Sequence, residues 1–248
     1  MELVFWERML SKNFVSSRIK NFPINPEPPK RAIIRLLFIV WTLFYILIYI
    51  IHRMKIYKFK TDIDSKALTN LQKFKEIGVD SEAQGLRIPH DKLSLIQLSG
   101  KRDEAFIVQP DRKNYNCPNL VKLFENNNIL FVMHYARFDK KIIEYFLKCK
   151  IKNFFCTKIS SKIIRRYSSF HGLKDLCQEF VGKKLEKKYG ASDWNKDLLT
   201  EITDQQTEYA ASDCRYLIEI KNALCKMMER EGKMEIYKEC LKFLPTRI

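Results

Sequence analysis

The chain has 248 residues, with 45 Lys or Arg against 29 Asp or Glu and a formal net charge of +16. Its seven cysteines are odd in number and scattered, which argues against zinc and redox sites and indicates free thiols in a reducing compartment. Residues 1–60 hold eleven bases and three acids, and the remainder holds 34 and 26. This excess suits nucleic-acid phosphates, although a general bias toward Lys, Ile and Asn explains it equally well.

The first 54 residues differ in pattern from the rest. Residues 1–30 form an N-terminal segment that ends in a proline-rich linker. The uncharged run Leu36–Ile51 is short for a bilayer span, which needs roughly 20 apolar residues and at least ~17, but Ile33 and Ile34 extend it if Arg35 snorkels to the interface. It begins far from Met1 and lacks a small-residue cleavage site, which argues against a cleaved signal peptide. The pattern therefore predicts one transmembrane helix over residues 31–54.

From Lys55 onward, strand and helix patterns alternate. Strands are predicted at Ile56–Phe59, Ile77–Ala83, Leu93–Leu98, Ala105–Val108, Ile129–Met133 and Asn153–Phe155. Helices are predicted at Ser65–Phe74, Leu120–Asn126, Lys140–Cys149, Lys158–Arg166, Leu173–Val181 and Gln205–Glu229. This alternation predicts an α/β fold with helices on both faces of one sheet, and nearly two hundred residues suffice for one core.

Two acids alternate out of the predicted strand at residues 77–83. Because side chains in a strand alternate faces, Asp80 and Glu82 are expected on one face, opposite Ile77 and Val79. Two carboxylates in one small volume repel each other, so the pair requires solvent, a proton or a cation. The absence of a His or Cys cluster in the sequence favours hard divalent ions, Mg2+ or Mn2+.

Three further polar residues lie at element ends or in apolar settings. Asp139 follows the predicted strand Ile129–Met133 and opens a helical pattern, so it is expected at the edge of the sheet. Tyr209 and Asp213 are four residues apart on one largely apolar helix face, where a lone carboxylate needs a partner. Singly, such residues are typical of solvated surfaces. Their conjunction predicts a metal site.

The order Asp80-x-Glu82, then Asp139, then Tyr209-x-x-x-Asp213 resembles the three exonuclease motifs of the DEDD superfamily in its tyrosine-containing branch, and ribonuclease D in particular. Further blocks that resemble this family are Lys92–Ser99, His134–Asp139, Cys156–Ile159, His171–Leu176 and Ser192–Trp194. Separated blocks in the same order, over about Tyr57 to Glu231, make the resemblance specific.

The resemblance implies a ribonuclease H-like fold, a mixed sheet of five or six strands flanked by helices. The transmembrane helix predicted from the apolar run would precede this fold. Residues 55–248 would form the 3′–5′ exonuclease domain. Because the chain ends at Ile248, we expect a short form without the helical nucleic-acid-binding domains of longer members. Ser81 stands where Thr is usual, and the loss of one methyl is not expected to disturb the carboxylates.

Carried over residue by residue, the resemblance implies that Asp80, Glu82, Asp139 and Asp213 hold two divalent ions about 4 Å apart. Tyr209 would orient the attacking water, because a phenol of pKa about 10 is a poor base at neutral pH. These five residues are the expected catalytic set. The implied reaction removes nucleoside 5′-monophosphates from a 3′ end by a two-metal-ion mechanism, with Mg2+ or Mn2+ as cofactors.

Four residues are expected to contact the nucleic acid: His134, Arg137, Phe138 and Lys187. Each also has a structural explanation. His134 has no ligand-like partner at metal spacing, Phe138 suits a core at a strand–helix junction, and Arg137 suits an ion pair with Asp139. Lys187 is one of four lysines in a solvated run.

The expected partner is a single-stranded nucleic acid with a free 3′ end, RNA in preference to DNA. The membrane is the second expected partner, through residues 33–51, with the catalytic domain on the cytosolic side. Basic residues flank both ends of that run, so the positive-inside rule gives no firm orientation. If residues 1–55 are not used, the protein is expected in the cytoplasm. A DNA exonuclease, a tethered binding module without activity and an anchor protein remain open alternatives.

Overall fold

The computed structural model describes residues 37–42, 54–185 and 192–244. The chain divides into two compact units, Met1–His52 and Arg53–Ile248. In the first unit, residues 37–42 are helical and their large apolar side chains are exposed.

The predicted transmembrane helix over residues 31–54 lies outside the described residues, apart from 37–42 and Met54. The predicted segment 1–30, with its proline-rich linker, also lies outside them. Within the part of the chain that is described, no helix is both long enough and apolar enough to span a bilayer. The expected membrane contact through residues 33–51 falls on residues of which only 37–42 are described.

The second unit alternates strands and helices as predicted. Its described elements are β1 (Lys55–Lys60), α1 (Ser65–Leu71), β2 (Glu76–Ala83), β3 (Leu93–Lys101), β4 (Glu104–Gln109), α2 (Pro118–Phe124), β5 (Leu130–Met133), α3 (Ala136–Leu147), β6 (Phe154–Cys156), α4 (Thr157–Ile164), α5 (Leu173–Val181), α6 (Asp204–Arg215), α7 (Leu217–Arg230) and α8 (Met234–Phe243).

The strands form one mixed six-stranded sheet in the order β1-β4-β3-β2-β5-β6. β3 runs antiparallel to both β2 and β4, whereas the pairs β1–β4, β2–β5 and β5–β6 are parallel. The parallel pairs require crossover connections, which the helices provide. The prediction of a mixed α/β sheet flanked by helices is confirmed.

Each face of the sheet is covered by its own hydrophobic cluster. On one face, α1, α2 and α3 pack against alternate strand residues such as Ile77, Val79 and Phe131. On the other face, α5, α6 and α7 pack against Leu95, Ile107 and Val132. Because both faces are buried, the strands read as nearly continuous apolar runs. A polar side chain on β2 is therefore exceptional.

The prediction of a single helix over Gln205–Glu229 is wrong, because the helix is interrupted at Tyr216 and forms α6 and α7. Tyr216 has φ −103° and ψ 0°, and its buried ring lies beneath the guanidinium groups of Arg102 and Arg215. The break lets α6 follow β3 and β4 while α7 follows β2 and β5 across a twisted sheet. It also leaves Tyr209 and Asp213 in the first of the two helices.

Two further differences concern helix ends. α3 begins at Ala136, four residues before the predicted Lys140, because Tyr135 takes a left-handed conformation with φ 67° that turns the chain sharply out of β5. α8 was not predicted at all. Its buried Tyr237 accepts a hydrogen bond from the backbone N–H of Cys156 at 2.8 Å, a long-range contact that a local pattern does not reveal.

Gly78 allows the helices to approach β2 very closely. A Cβ atom added at Gly78 would overlap the carbonyl oxygen of Cys214 and lie 3.3 Å from Cβ of Leu217. Both obstacles are backbone or a first side-chain carbon, so neither can rotate away. Glycine is therefore required where β2 passes under the junction of α6 and α7.

We predict that Gly78→Ala lowers the free energy of unfolding by roughly 1–3 kcal/mol, because the added methyl group forces the α6–α7 junction away from β2. Urea unfolding followed by circular dichroism measures the change. Gly172→Ala is the matched control. There the nearest atom is the flexible carboxylate of Asp175, at 2.9 Å, and φ is −74°. Equal destabilisation by both variants would contradict the close-approach argument.

Candidate active site

The acids of β2 lie on the sheet face that α6 covers. Asp80 pairs across the sheet with Gln97, and Glu82 pairs with Leu95, which belongs to the cluster beneath α6. Directly after Glu82, the register between β2 and β3 shifts at a bulge. Bulges commonly occur beside active sites, where they redirect side chains. The predicted placement of both carboxylates on one face agrees with this register.

α6 brings the third acid to the same place. Thr203 caps its N-terminus by accepting a hydrogen bond from the N–H of Gln206, while Ala210, Ala211 and Cys214 bury its inner face. Asp213 precedes Cys214, whose carbonyl group touches Gly78, so it lies above β2. The Tyr209 hydroxyl, one turn earlier, donates a hydrogen bond to the Asp213 carboxylate.

Carboxylate oxygens of Asp80, Glu82 and Asp213 all lie within 4.8 Å of one another. Each of these residues is half-buried, so none of the three is fully sealed from solvent. Three oxygen donors at such distances fit a hard divalent ion, which prefers carboxylate ligands. The structure thus groups three of the four acids that the sequence singled out.

Asp139 stands slightly apart from these three. It lies in the first turn of α3, is 3% exposed, and its Oδ1 accepts a hydrogen bond from the Ser81 hydroxyl at 2.6 Å. Ser81 points to the opposite face from Asp80 and Glu82, so the strand positions the fourth acid from its other side. This contact was not predicted from the sequence, although Ser81 lies between the two acids.

Burial and mutual repulsion raise the pKa values of the acids. The pKa of Asp80 is raised well above its usual value, by desolvation first and then by the charges of Asp139, Asp213 and Glu82. Desolvation raises the pKa of Glu82 to about 8, with Asp213 and Asp139 adding to it. It raises those of Asp139 and Asp213 to about 7, opposed by the hydrogen bonds from Ser81 and Tyr209. Without a cation, the cluster therefore retains protons near neutral pH.

Gln97 adds an unusual polar group beside the acids. It is fully buried, and among the described residues neither its amide nitrogen nor its amide oxygen has a hydrogen-bond partner. An unpaired buried amide costs about 1–3 kcal/mol. Its cross-strand neighbour is Asp80, so the amide could form a hydrogen bond within the site once a ligand is bound there. The donor set and this unpaired amide both fit a bound divalent ion.

Trp194 holds the ring of Tyr209. The two rings stack at a centroid distance of 6.2 Å and an interplanar angle of 17°, and Trp194 is 4% exposed. The sequence marked the segment Ser192–Trp194 without assigning a role to its tryptophan. A stacked ring restricts the rotamers of Tyr209 and so fixes where its hydroxyl points.

The loop that carries Trp194 is fastened to the sheet by its neighbour Asn195. The Asn195 side-chain oxygen accepts hydrogen bonds from Gln84 at 2.6 Å and Arg112 at 2.5 Å. Further along, Gln109 donates to the carbonyl of Lys196 at 2.7 Å and accepts from the N–H of Leu198 at 3.0 Å. The position of Tyr209 therefore depends on the sheet edge as well as on α6.

The four expected nucleic-acid contacts have different surroundings. His134 lies beside the first residue of α4, with Nδ1 2.9 Å from the Thr157 hydroxyl, and burial followed by the charge of Lys158 lowers its pKa to about 3. Phe138 packs partly into the core. These are the contacts of structural residues. Arg137 lies half-buried in the first turn of α3, and Lys187 lies outside the described residues.

Comparison with known proteins agrees with this geometry. A family model described as a 3′–5′ exonuclease matches residues 59–229, well over half of the chain. The ribonuclease D of Gluconacetobacter diazotrophicus is 26% identical over 159 residues, which cover 64% of this chain and 39% of that protein. Protein RRP6-like 2 of Arabidopsis thaliana is 26% identical over 194 residues, which cover 73% and 22%. The chain therefore spans less than half the length of these relatives.

Two solved structures share the fold. Brucella melitensis NrnC with bound Mg2+ has a TM-score of 0.72 and 34% identity, covering 78% of this chain and 92% of that one. Escherichia coli RNase D has a TM-score of 0.67 and 22% identity, covering 77% and 50%. The family match and the likeness to NrnC show that the chain belongs to the 3′–5′ exonuclease family, as a ribonuclease D-like member of the DEDD superfamily.

Proposed function

We propose that this protein removes mononucleotides from the 3′ end of single-stranded RNA in a reaction that depends on divalent metal ions. The observation that carries the proposal is the approach of the Asp80, Glu82 and Asp213 oxygens to within 4.8 Å of one another. RNA is proposed over DNA because several relatives are named ribonuclease D, and the Escherichia coli structure is described as an exoribonuclease involved in structured RNA processing.

In this proposal, Asp80, Glu82 and Asp213 would hold one divalent ion, and Asp139 would help to hold a second. When bound, such ions would supply Lewis-acid stabilisation of developing charge and lower the pKa of the attacking water. Tyr209 orients that water through its hydroxyl group, which the hydrogen bond to Asp213 and the stack on Trp194 hold in place. Ser81 positions Asp139.

We predict that Asp213→Asn abolishes most metal-dependent hydrolysis, by at least about 100-fold, because the cluster loses one anionic ligand. A time course on 3′-labelled single-stranded RNA, with Mg2+, Mn2+ or chelator, measures the release of labelled mononucleotide. Glu208→Gln is the matched control, since it removes one exposed carboxylate from the same helix. Faster digestion of DNA of the same sequence would reverse the proposed substrate, and activity in chelator would contradict the metal requirement.

A second prediction concerns the pH dependence of stability without metal. Acids whose folded pKa values lie at about 7 to 8, against about 4 when unfolded, stabilise the fold below pH ~4 and lose that contribution as pH rises through 7 to 8. The melting temperature of chelated protein should therefore fall between pH 5.5 and 8.5. Saturating Mg2+ or Mn2+ should raise the melting temperature again. At a metal concentration of 100 Kd, binding adds about 2.7 kcal/mol to the free energy of unfolding.

The pH prediction has an internal control. Asp213→Asn removes one raised pKa and relieves repulsion within the cluster, so its chelated form should show a shallower fall in melting temperature over the same range. A wild-type melting temperature that is insensitive to both pH and metal would contradict the acid cluster as a cation site.

A third prediction separates the two aromatic residues. Tyr209→Phe should lower kcat by roughly 10- to 100-fold with little change in KM, because the hydroxyl acts on the water rather than on the nucleic acid. Trp194→Phe should keep most activity, since a ring remains to stack. Trp194→Leu should lower kcat, but should add little further loss to Tyr209→Phe. Additive losses in the Trp194→Leu/Tyr209→Phe double variant would show that Trp194 does not act through Tyr209.

A further inference from the structure

We propose that the nucleic-acid strand leading to the 3′ end is held by a second, non-catalytic site on α4 and the loop that follows it. This site, the phosphate cleft, has a volume of about 570 Å³ and is lined by Lys158, Lys162, Ser169, His171 and Gly172. The inference rests on the proposed function and extends it. It means that the substrate is an oligonucleotide several residues long, bound by its backbone, and not only its terminal nucleotide.

The cleft begins beside the edge of the sheet that carries the acids. The hydroxyl of Thr157, the first residue of α4, donates a hydrogen bond to the carbonyl of Met133 at 3.2 Å and lies 2.9 Å from His134. These contacts fasten the start of α4 to the end of β5. Asp139 lies one helical turn after Tyr135, which itself follows β5. A strand leaving the acid cluster over Tyr135 therefore meets Lys158 next.

The charge of the cleft is positive and uncompensated. Lys158 and Lys162 are four residues apart on one helix face, and neither forms an ion pair within the described part of the chain. The pKa of His171 is lowered, by burial first and then by repulsion from Arg165, Lys162 and Lys158. The two lysine amines thus face an open cleft in a positive field, which favours a phosphate group.

Arg165, the neighbouring base, differs from these lysines. Its guanidinium is buried and pairs with the carboxylate of Glu179. It also donates hydrogen bonds to the hydroxyl of Ser161 at 2.9 Å and to the carbonyl of Phe170 at 2.6 Å. Arg165 therefore fixes the loop between α4 and α5, and the lysines remain for ligand binding.

Exposed aromatic residues neighbour the lining residues of the cleft, through contact with Lys158 or along the chain beside Ser169. Tyr135 is 45% exposed and carries the amine of Lys158 over its ring at 4.5 Å. Tyr167 and Phe170, on the loop fixed by Arg165, are 72% and 67% exposed. Large exposed rings next to lysines are the combination that binds single strands, because bases stack on the rings while amines hold phosphates. Since the loop is already held in place, less ordering is needed on binding.

The test uses the double variant Lys158→Gln/Lys162→Gln and two substrates. One substrate is a single-stranded RNA of eight nucleotides, and the other is the p-nitrophenyl ester of thymidine 5′-monophosphate, which reaches the acids only. We expect KM for the octamer to rise roughly tenfold, with ester hydrolysis unchanged. The dependence of octamer binding on salt should lose about 1.4 from its log–log slope, about 0.7 for each phosphate contact on a single strand.

Lys66→Gln/Lys73→Gln is the matched control, because it removes two exposed charges from α1 and its C-terminal turn, on the other face of the sheet. Equal increases in KM in both double variants would show that the effect comes from net charge alone, and would contradict the proposal that the cleft binds the strand. An unchanged KM in the Lys158→Gln/Lys162→Gln protein would overturn it as well. Phe170→Ala, at an exposed position, should also raise KM for the octamer alone.

A binding measurement separates this inference from the proposed activity. Fluorescence anisotropy of a labelled octamer in chelator reports on the cleft without any hydrolysis. If the protein cleaves neither substrate, yet octamer binding weakens in Lys158→Gln/Lys162→Gln and not in the control, the proposed activity fails and the cleft stands. If the ester and the octamer are hydrolysed and binding is equal in all variants, the activity stands and the cleft is overturned.

Discussion

The contact between Gly78 and the carbonyl of Cys214 is the constraint on which the acid cluster depends. β2 and α6 are far apart in sequence, and only a residue without a side chain lets them approach this closely. The approach places Asp213, one residue before Cys214, above the strand that carries Asp80 and Glu82. Packing of α6 and α7 on the sheet thus serves to bring like charges together, which their electrostatics alone would oppose.

The fold offsets this repulsion with two separate cores. Apolar clusters on both faces of the sheet hold β2 from either side, so its backbone does not move to relieve the charge. The same repulsion and desolvation raise the pKa values of the acids, so that they retain protons. Such a cluster is held ready for a cation, because an ion that replaces the protons relieves both repulsion and desolvation. Repulsion among the acids lowers the free energy of unfolding, and binding of a cation to the folded protein raises it again.

The sequence predicted what local patterns determine, and it failed where distant residues decide. All six strands were predicted close to their true ends, because buried strands leave apolar runs bounded by polar residues. The break at Tyr216 was missed, since Arg102 lies over its ring from another part of the chain. Ser81 was judged only by its size, and its bond to Asp139 depends on how β2 and α3 meet. The cleft on α4 was likewise not predicted, because it forms only where Lys158 and Lys162 meet the loop that follows the helix.

The acid cluster and the lysines of α4 carry opposite charges and are proposed to have different roles. The acid cluster offers no positive charge to a phosphate group until cations are bound, whether its carboxyl groups are ionised or protonated. The lysines of α4 attract the same phosphates whether or not metal is present. Keeping the two groups apart, with an aromatic ring between them, prevents the lysines from neutralising the acids as ion pairs. In the proposed function, the strand would be attracted by one surface and cut at the other, and its affinity and its hydrolysis would respond to different residues.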